Sequence, residues 1–177
     1  PMVAQANRQF SNTGETVFVI RGDDPNSTQL SSLLSMEFKG CQIVETEALT
    51  GGQADTVSLS ATKVPALRDG RPVFIGCCDS WINFDPKETN QILERIDVDG
   101  IVLASRSAPR PLLKPEEYSW IEEANGSIKK VLVKGRPDDE NVDLVVVGGF
   151  LFSHFEIFDS AFKRQKENAI ATNGELY

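Results

Sequence analysis

The chain has 177 residues, 40% of them hydrophobic and 25% charged, enough apolar material for one core and a single domain over 1–177. A formal net charge of −8 opposes a phosphate backbone and argues against nucleic acid as a partner, while leaving room for nucleotides held by a metal ion or a few amides. Three cysteines, two of them adjacent, fit a reducing, cytoplasmic compartment, and neither the start of the chain nor its most apolar run, Leu144 to Phe152, predicts a signal peptide, a span or a membrane partner.

Val17 to Ile20 is a compact apolar run closed by Arg21-Gly22-Asp23-Asp24-Pro25, which predicts a buried strand and a turn. Asn26 or Ser27 then caps a predicted helix to about Phe38, with Leu30, Leu33, Leu34 and Phe38 on one face, and Gly40 stops it. A strand at about Cys41 to Thr46 leads into Leu49-Thr50-Gly51-Gly52-Gln53-Ala54-Asp55-Thr56, which opens a second helix running to Ala66. Asp69-Gly70-Arg71-Pro72 makes a turn, and Val73 to Cys78 reads as the third strand.

A helix over about Lys87 to Ile96 and a strand at Gly100 to Ala104 continue the alternation. This order predicts an α/β fold with three α/β/α layers and a mostly parallel, Rossmann-like mixed sheet. Two short runs, Tyr118 to Glu123 and Ile128 to Lys134, flank Ala124-Asn125-Gly126 and predict an inserted β-hairpin. Asp143 to Phe152 reads as a further strand, followed by a capping-box pattern at Ser153 and Glu156 and an amphipathic helix to about Lys166.

The stretch Gly76-Cys77-Cys78-Asp79-Ser80-Trp81-Ile82-Asn83-Phe84-Asp85 carries the chemistry. Cysteines inside an apolar strand read as small buried hydrophobes, and no Cys or His cluster completes a zinc site around them; the lone His154 reads as a surface residue. Asp79 falls where the strand should end, the place where open α/β sheets gather ligands. It reads either as a turn cap or as a carboxylate for a divalent metal, since magnesium on substrate phosphates takes one or two protein carboxylates. Asp85 is the weaker candidate, because Phe84-Asp85-Pro86 also suits the start of a helix.

These segments, in their order, resemble the sugar-phosphate nucleotidyltransferases, with capsule-associated members of polysaccharide biosynthesis or members of no assigned role as the nearest branch. The Leu49 to Thr56 loop resembles the family's Gly-x-Ala loop beside the nucleotide base, and Val73 to Asp79 its strand ending in a metal-binding aspartate. Tyr118-Ser119-Trp120, the Asn125-Gly126 turn and Val131-Leu132-Val133-Lys134 are similar to its elements around the sugar. Val147-Gly148-Gly149-Phe150-Leu151-Phe152 resembles its Gly-Ile-Tyr-x-Phe strand, and Asn173-Gly174-Glu175-Leu176-Tyr177 its Gly-Glu segment.

The resemblance implies a transfer of a nucleoside monophosphate from an NTP to a sugar 1-phosphate, with Mg2+ as cofactor, and the sequence leaves room for a homo-oligomer without naming the oligomeric state. The resemblance assigns Asp79 to the metal and to catalysis; Gly51, Gly52, Gln53 and Ala54 to the nucleotide; and Tyr118, Ser119, Lys134 and Gly148 to the sugar phosphate. Trp120 is a further aromatic beside that pocket, with core packing as its other reading.

The chain departs from the family in lacking the Gly-rich triphosphate signature ahead of Pro1 and a second metal-binding aspartate beyond Tyr177, and it carries Val133 where a glutamate is usual. It therefore reads as the central part of such an enzyme or a reduced relative. A non-catalytic nucleotide or sugar-nucleotide binding domain is the alternative, and a glycosyltransferase is third, because Asp79-Ser80-Trp81 lacks an Asp-x-Asp spacing.

Overall fold

In the computed structural model, residues 1–8, 15–95, 97–106, 113–139 and 143–168 are described, so the segment 173–177 lies outside the described residues. Helix α1 (Met2–Asn7) precedes strand β1 (Val17–Arg21), helix α2 (Ser27–Glu37) and strand β2 (Gln42–Thr46). β1 and β2 pair in parallel from Val17↔Gln42 to Arg21↔Thr46, the geometry that a helical crossover permits. Phe18 and Ile20, alternate residues of β1, bury one face against Leu34 of α2, Phe38 at its C-terminal cap and Ala4 of α1. The Phe18 and Phe38 rings meet edge to face at 4.8 Å, and each such buried side chain contributes roughly 1.5–3 kcal/mol. Leu33, expected on the same helix face, instead remains 39% exposed.

Helix α3 (Gln53–Lys63) and a 3-10 turn at Pro65–Arg68 lead to β3 (Val73–Ile75), helix α4 (Pro86–Leu93) and β4 (Gly100–Arg106). Asp85 caps α4, its carboxylate accepting the Lys87 N–H at 2.8 Å with Pro86 in the first turn. β5 (Trp120–Ala124) and β6 (Ser127–Leu132) form the expected hairpin, turned by Asn125 and Gly126 at φ of 55° and 76°. Strand β7 (Leu144–Phe152) and helix α5 (Phe155–Glu167) follow.

The second sheet corrects the expectation of mostly parallel pairing. β7 is antiparallel to β3, β4 and β5. Strands antiparallel to one partner run the same way, so β3 and β4 are aligned as the alternation predicts and β5 of the hairpin runs with them; β7 inserts among the three and makes each of their contacts with it antiparallel. Its length and its apolar residues on both faces suit that central place. β4 pairs along one edge of β7, so β3 and β5 share the other, β3 against Phe150–Phe152 and β5 against Leu144 and Val145.

Two sequence expectations differ locally. β3 ends at Ile75 rather than Cys78, so both neighbouring cysteines belong to the following loop. α5 starts from His154, whose side chain makes no capping bond, and Ser153 Oγ pairs with His154 Nδ1 at 3.1 Å, so the expected capping box does not form.

The second core joins Ala61 of α3, Ile75 of β3 and Phe155, Phe158 and Phe162 of α5. Beside it, the buried Asp159 carboxylate accepts bonds from Arg68 at 2.9 Å and Lys163 at 2.8 Å, and Arg68 also lies over the Phe155 ring. Burial pushes the Asp159 carboxyl up, but the bonds from Lys163 and Arg68 outweigh it and hold the group below the ordinary carboxylate range.

Candidate functional site

The gap on β7 between β3 and β5 is where the sequence-predicted residues gather. Here the β4–β7 register jumps from Leu103↔Gly149 to Ala104↔Val146, leaving Val147 and Gly148 as a bulge. Gly148 sits at φ +81°, a conformation that side-chain-bearing residues rarely adopt. Bulges of this kind re-aim backbone groups out of a ladder. In this one, the carbonyls of Val147 and Gly148 become acceptors for groups outside the sheet.

Gln53, the first residue of α3, supplies one of those groups. Its Nε2 donates to the Gly148 carbonyl at 3.4 Å and to the Gly76 carbonyl at 3.3 Å. Facing two acceptors, this end of the side chain has to be the amide nitrogen. The Gly51–Ala54 loop, the segment after β3 and the β7 bulge are thus tied together by a single side chain.

Cys77 supplies the second. Its thiol lies 3.6 Å from the Val147 carbonyl and 3.6 Å from the Ser80 carbonyl, closing the turn that carries Asp79 and pinning it to β7. The sequence predicts Cys77 as a buried core residue. It is half-buried and works as a pin, while Cys78 is exposed. Partial burial pushes the Cys78 thiol up, and the Asp79 carboxylate adds to the shift, so this thiol is not poised as a thiolate.

Asp79 itself is exposed, with Oδ1 accepting the Ser80 hydroxyl at 3.3 Å. A cavity of about 560 Å³ opens beside it, lined by Met2, Gln5, Ala6, Arg8, Asp79 and Trp81. Among the described residues no group of three or more His, Cys, Asp or Glu side chains converges. This donor set builds no all-protein cage. It fits a cation that keeps most of its shell as water and phosphate oxygen, as magnesium does with one or two carboxylates.

At the β5 end of the gap, the Ser119 carbonyl accepts the Val146 N–H at 2.9 Å and the Tyr118 carbonyl accepts the Gly135 N–H at 3.4 Å. Lys134, at φ +50°, sets its ammonium on the Glu117 carbonyl at 3.0 Å. Tyr118, Ser119 and Lys134 therefore lie together beside the strand that carries Gly148. Trp120 does not join them: it is buried, and its indole N–H donates to the Pro115 carbonyl at 2.9 Å.

The loop ahead of α3 contains bonds that sequence reading missed. Gly52 takes φ +110°, and Thr56 bonds its carbonyl through both N–H and hydroxyl, at 3.1 and 2.9 Å. The Gly51 N–H is donated to Asp55 Oδ2 at 3.0 Å, so this amide is turned inward. The amides of Gln53 and Ala54, in the first helical turn, have no intrahelical acceptor. The signal for the Asp55 bond was its position in the first turn, just behind two glycines.

No protein-family model and no curated protein sequence matches the chain. Among solved structures it is similar to the nucleoside-diphosphate-sugar pyrophosphorylase from Vibrio cholerae RC9, with a TM-score of 0.73 and 17% identity over 99% of this chain and 71% of that one. It is also similar to the inositol-1-phosphate CTP transferase from T. maritima, with a TM-score of 0.61 and 17% identity over 92% of this chain and 58% of that one. The chain thus spans less than two thirds of the second protein. At these identities the likeness is one of fold: the chain has an α/β, sugar-phosphate nucleotidyltransferase-like fold. Among the described residues, no helix is long and apolar enough to cross a membrane.

Proposed function

We propose that the chain belongs to a sugar-phosphate nucleotidyltransferase that moves a nucleoside monophosphate from an NTP to a sugar 1-phosphate. The observation that carries this reading is the convergence at the β7 bulge, where Gln53 bonds the carbonyls of both Gly76 and Gly148. Three segments that the resemblance assigns to nucleotide, metal and sugar phosphate meet there, in a fold similar to that of a nucleoside-diphosphate-sugar pyrophosphorylase.

In this reading a sugar-phosphate oxygen attacks the α-phosphorus, the α–β phosphoanhydride bond breaks, and pyrophosphate leaves. Little covalent work falls to the protein, whose task is positioning and charge stabilisation. Gly51 and Gly52 let the nucleotide approach the backbone closely, and the first-turn amides of Gln53 and Ala54 face it at the positive end of α3. Asp79 would hold magnesium, which when bound offsets charge on the phosphates. Tyr118, Ser119, Lys134 and Gly148 form the sugar-phosphate side, with Lys134 contributing positive charge. The free thiols Cys41, Cys77 and Cys78 suit a cytoplasmic setting.

Calorimetric titration of nucleoside triphosphates and sugar nucleotides, with and without magnesium, tests this on the chain and on Asp79→Asn. The expected result is magnesium-dependent binding that the substitution removes. Binding indifferent to both magnesium and the substitution would sink the catalytic assignment and favour a non-catalytic binding domain.

A further inference from the structure

We infer that Asp55 is a positioning residue for the nucleotide loop, locking the Gly51–Gly52 peptide in its binding conformation, and that Lys166 offsets its charge so that a polyphosphate can approach. This inference rests on the nucleotidyltransferase reading and extends it to two residues to which the resemblance gives no role.

The two oxygens of Asp55 have separate tasks. Oδ2 accepts the Gly51 N–H at 3.0 Å, and Oδ1 pairs with the Lys166 ammonium at 3.4 Å. On the other side of the glycine pair, Thr56 holds the Gly52 carbonyl and Thr50 bonds the Thr56 hydroxyl. The Gly51–Gly52 peptide is thus fastened at the N–H before it and the carbonyl after it. A pair of glycines is among the most mobile sequences a loop can carry, and its freedom would otherwise be lost on each binding event. Two anchors supplied by the first turn of α3 remove that cost before the ligand arrives.

Charge decides the role of Lys166. A carboxylate in the first turn favours the helix but repels a triphosphate arriving at the same end. Lys166 comes from the last turn of α5, far along the chain, and its ammonium also lies over the Phe162 ring at 5.7 Å. It leaves Asp55 as a hydrogen-bond acceptor whose field is largely cancelled.

The test uses the full chain with magnesium and ATP, CTP, GTP, UTP and dTTP, carrying forward the tightest, beside its parent nucleoside. Asp55→Ala is expected to weaken NTP binding about tenfold, as loss of a bond to a charged group should, and to expose the Gly51 amide to hydrogen exchange. Asp55→Asn, which keeps an acceptor for Gly51, is expected to retain that protection and to bind NTP more tightly than the alanine variant. Lys166→Gln, a surface change, should weaken NTP but not nucleoside, with the difference closing at high salt. Wild-type affinity in Asp55→Ala, unchanged Gly51 exchange, or equal effects of Lys166→Gln on NTP and nucleoside would each overturn the inference. A wild-type chain that binds none of the nucleotides would overturn the functional reading itself, and would do so before any substitution is made.

Discussion

A side chain on Gly148 would begin 3.1 Å from Cβ of Cys77 and 3.3 Å from its sulfur, at a backbone φ of +81°. The bulge on β7 and the turn that carries Asp79 are therefore in contact through a residue with no side chain and one with a small one. Gly148→Ala should cost about 1–3 kcal/mol in urea unfolding, from strain at a left-handed position together with the contact. Adding Cys77→Gly should recover the contact part and leave the backbone part, so a double-mutant cycle separates them. Wild-type stability in Gly148→Ala would show that the bulge does not hold this conformation.

Gln53 faces two carbonyl oxygens, which makes the charge of its side chain decisive. Gln53→Ala removes two long hydrogen bonds, whereas Gln53→Glu sets a carboxylate against two acceptors. The glutamate variant is expected to lose more NTP affinity than the alanine variant and to regain part of it as pH falls and the new carboxyl protonates. Titrations at two pH values check this, and equal affinities for both variants at neutral pH would refute it.

How far the sequence reached follows from what each residue type can signal. Alternating strand and helix patterns gave the common direction of β3 and β4, because a crossover helix returns the chain to the same end of a sheet, but not that of β5, which opens the hairpin that interrupts the alternation. They could not say that β7 would insert between those strands, since spatial order leaves no periodicity of its own. Asp79 was legible as a carboxylate beyond an apolar run. Val147-Gly148-Gly149 was legible as a strand but not as a bulge, because an apolar run with glycines reads alike in a regular and a bulged ladder. Cys77 departs from its expected core place for a related reason: a thiol lodged on two carbonyls has the same local sequence as one buried among aliphatic side chains.

Trp120 marks the boundary between site and scaffold. Its ring is 1% exposed and its N–H donates to the Pro115 carbonyl at 2.9 Å, which fixes the 3-10 turn at Pro115–Glu117 just before Tyr118 and Ser119. Trp120→Phe keeps most of the buried area and leaves that carbonyl without its indole partner, so a loss of about 1–3 kcal/mol is expected. Sugar-nucleotide affinity should follow this substitution only through the position of Tyr118. A large affinity loss with unchanged thermal stability would instead make Trp120 a direct ligand contact.

Asp159 governs how α5 responds to acid. Its carboxyl is held below the ordinary range against the opposing pull of burial, by bonds from Lys163 and Arg68, and Ser58 Oγ adds a longer one at 3.4 Å. Because the folded value lies below the unfolded one of about 3.9, the stabilisation is fully present above that unfolded value. It disappears as pH falls through the folded value. Asp159→Asn should therefore be less stable than wild type by about 1–3 kcal/mol at neutral pH, from loss of bonds to charged partners, with the gap narrowing as pH drops below about 4. Thermal unfolding from pH 7 to pH 3 checks the sign. A gap that widens towards acid would mean that the folded carboxyl sits above its unfolded value, with burial outweighing Arg68 and Lys163.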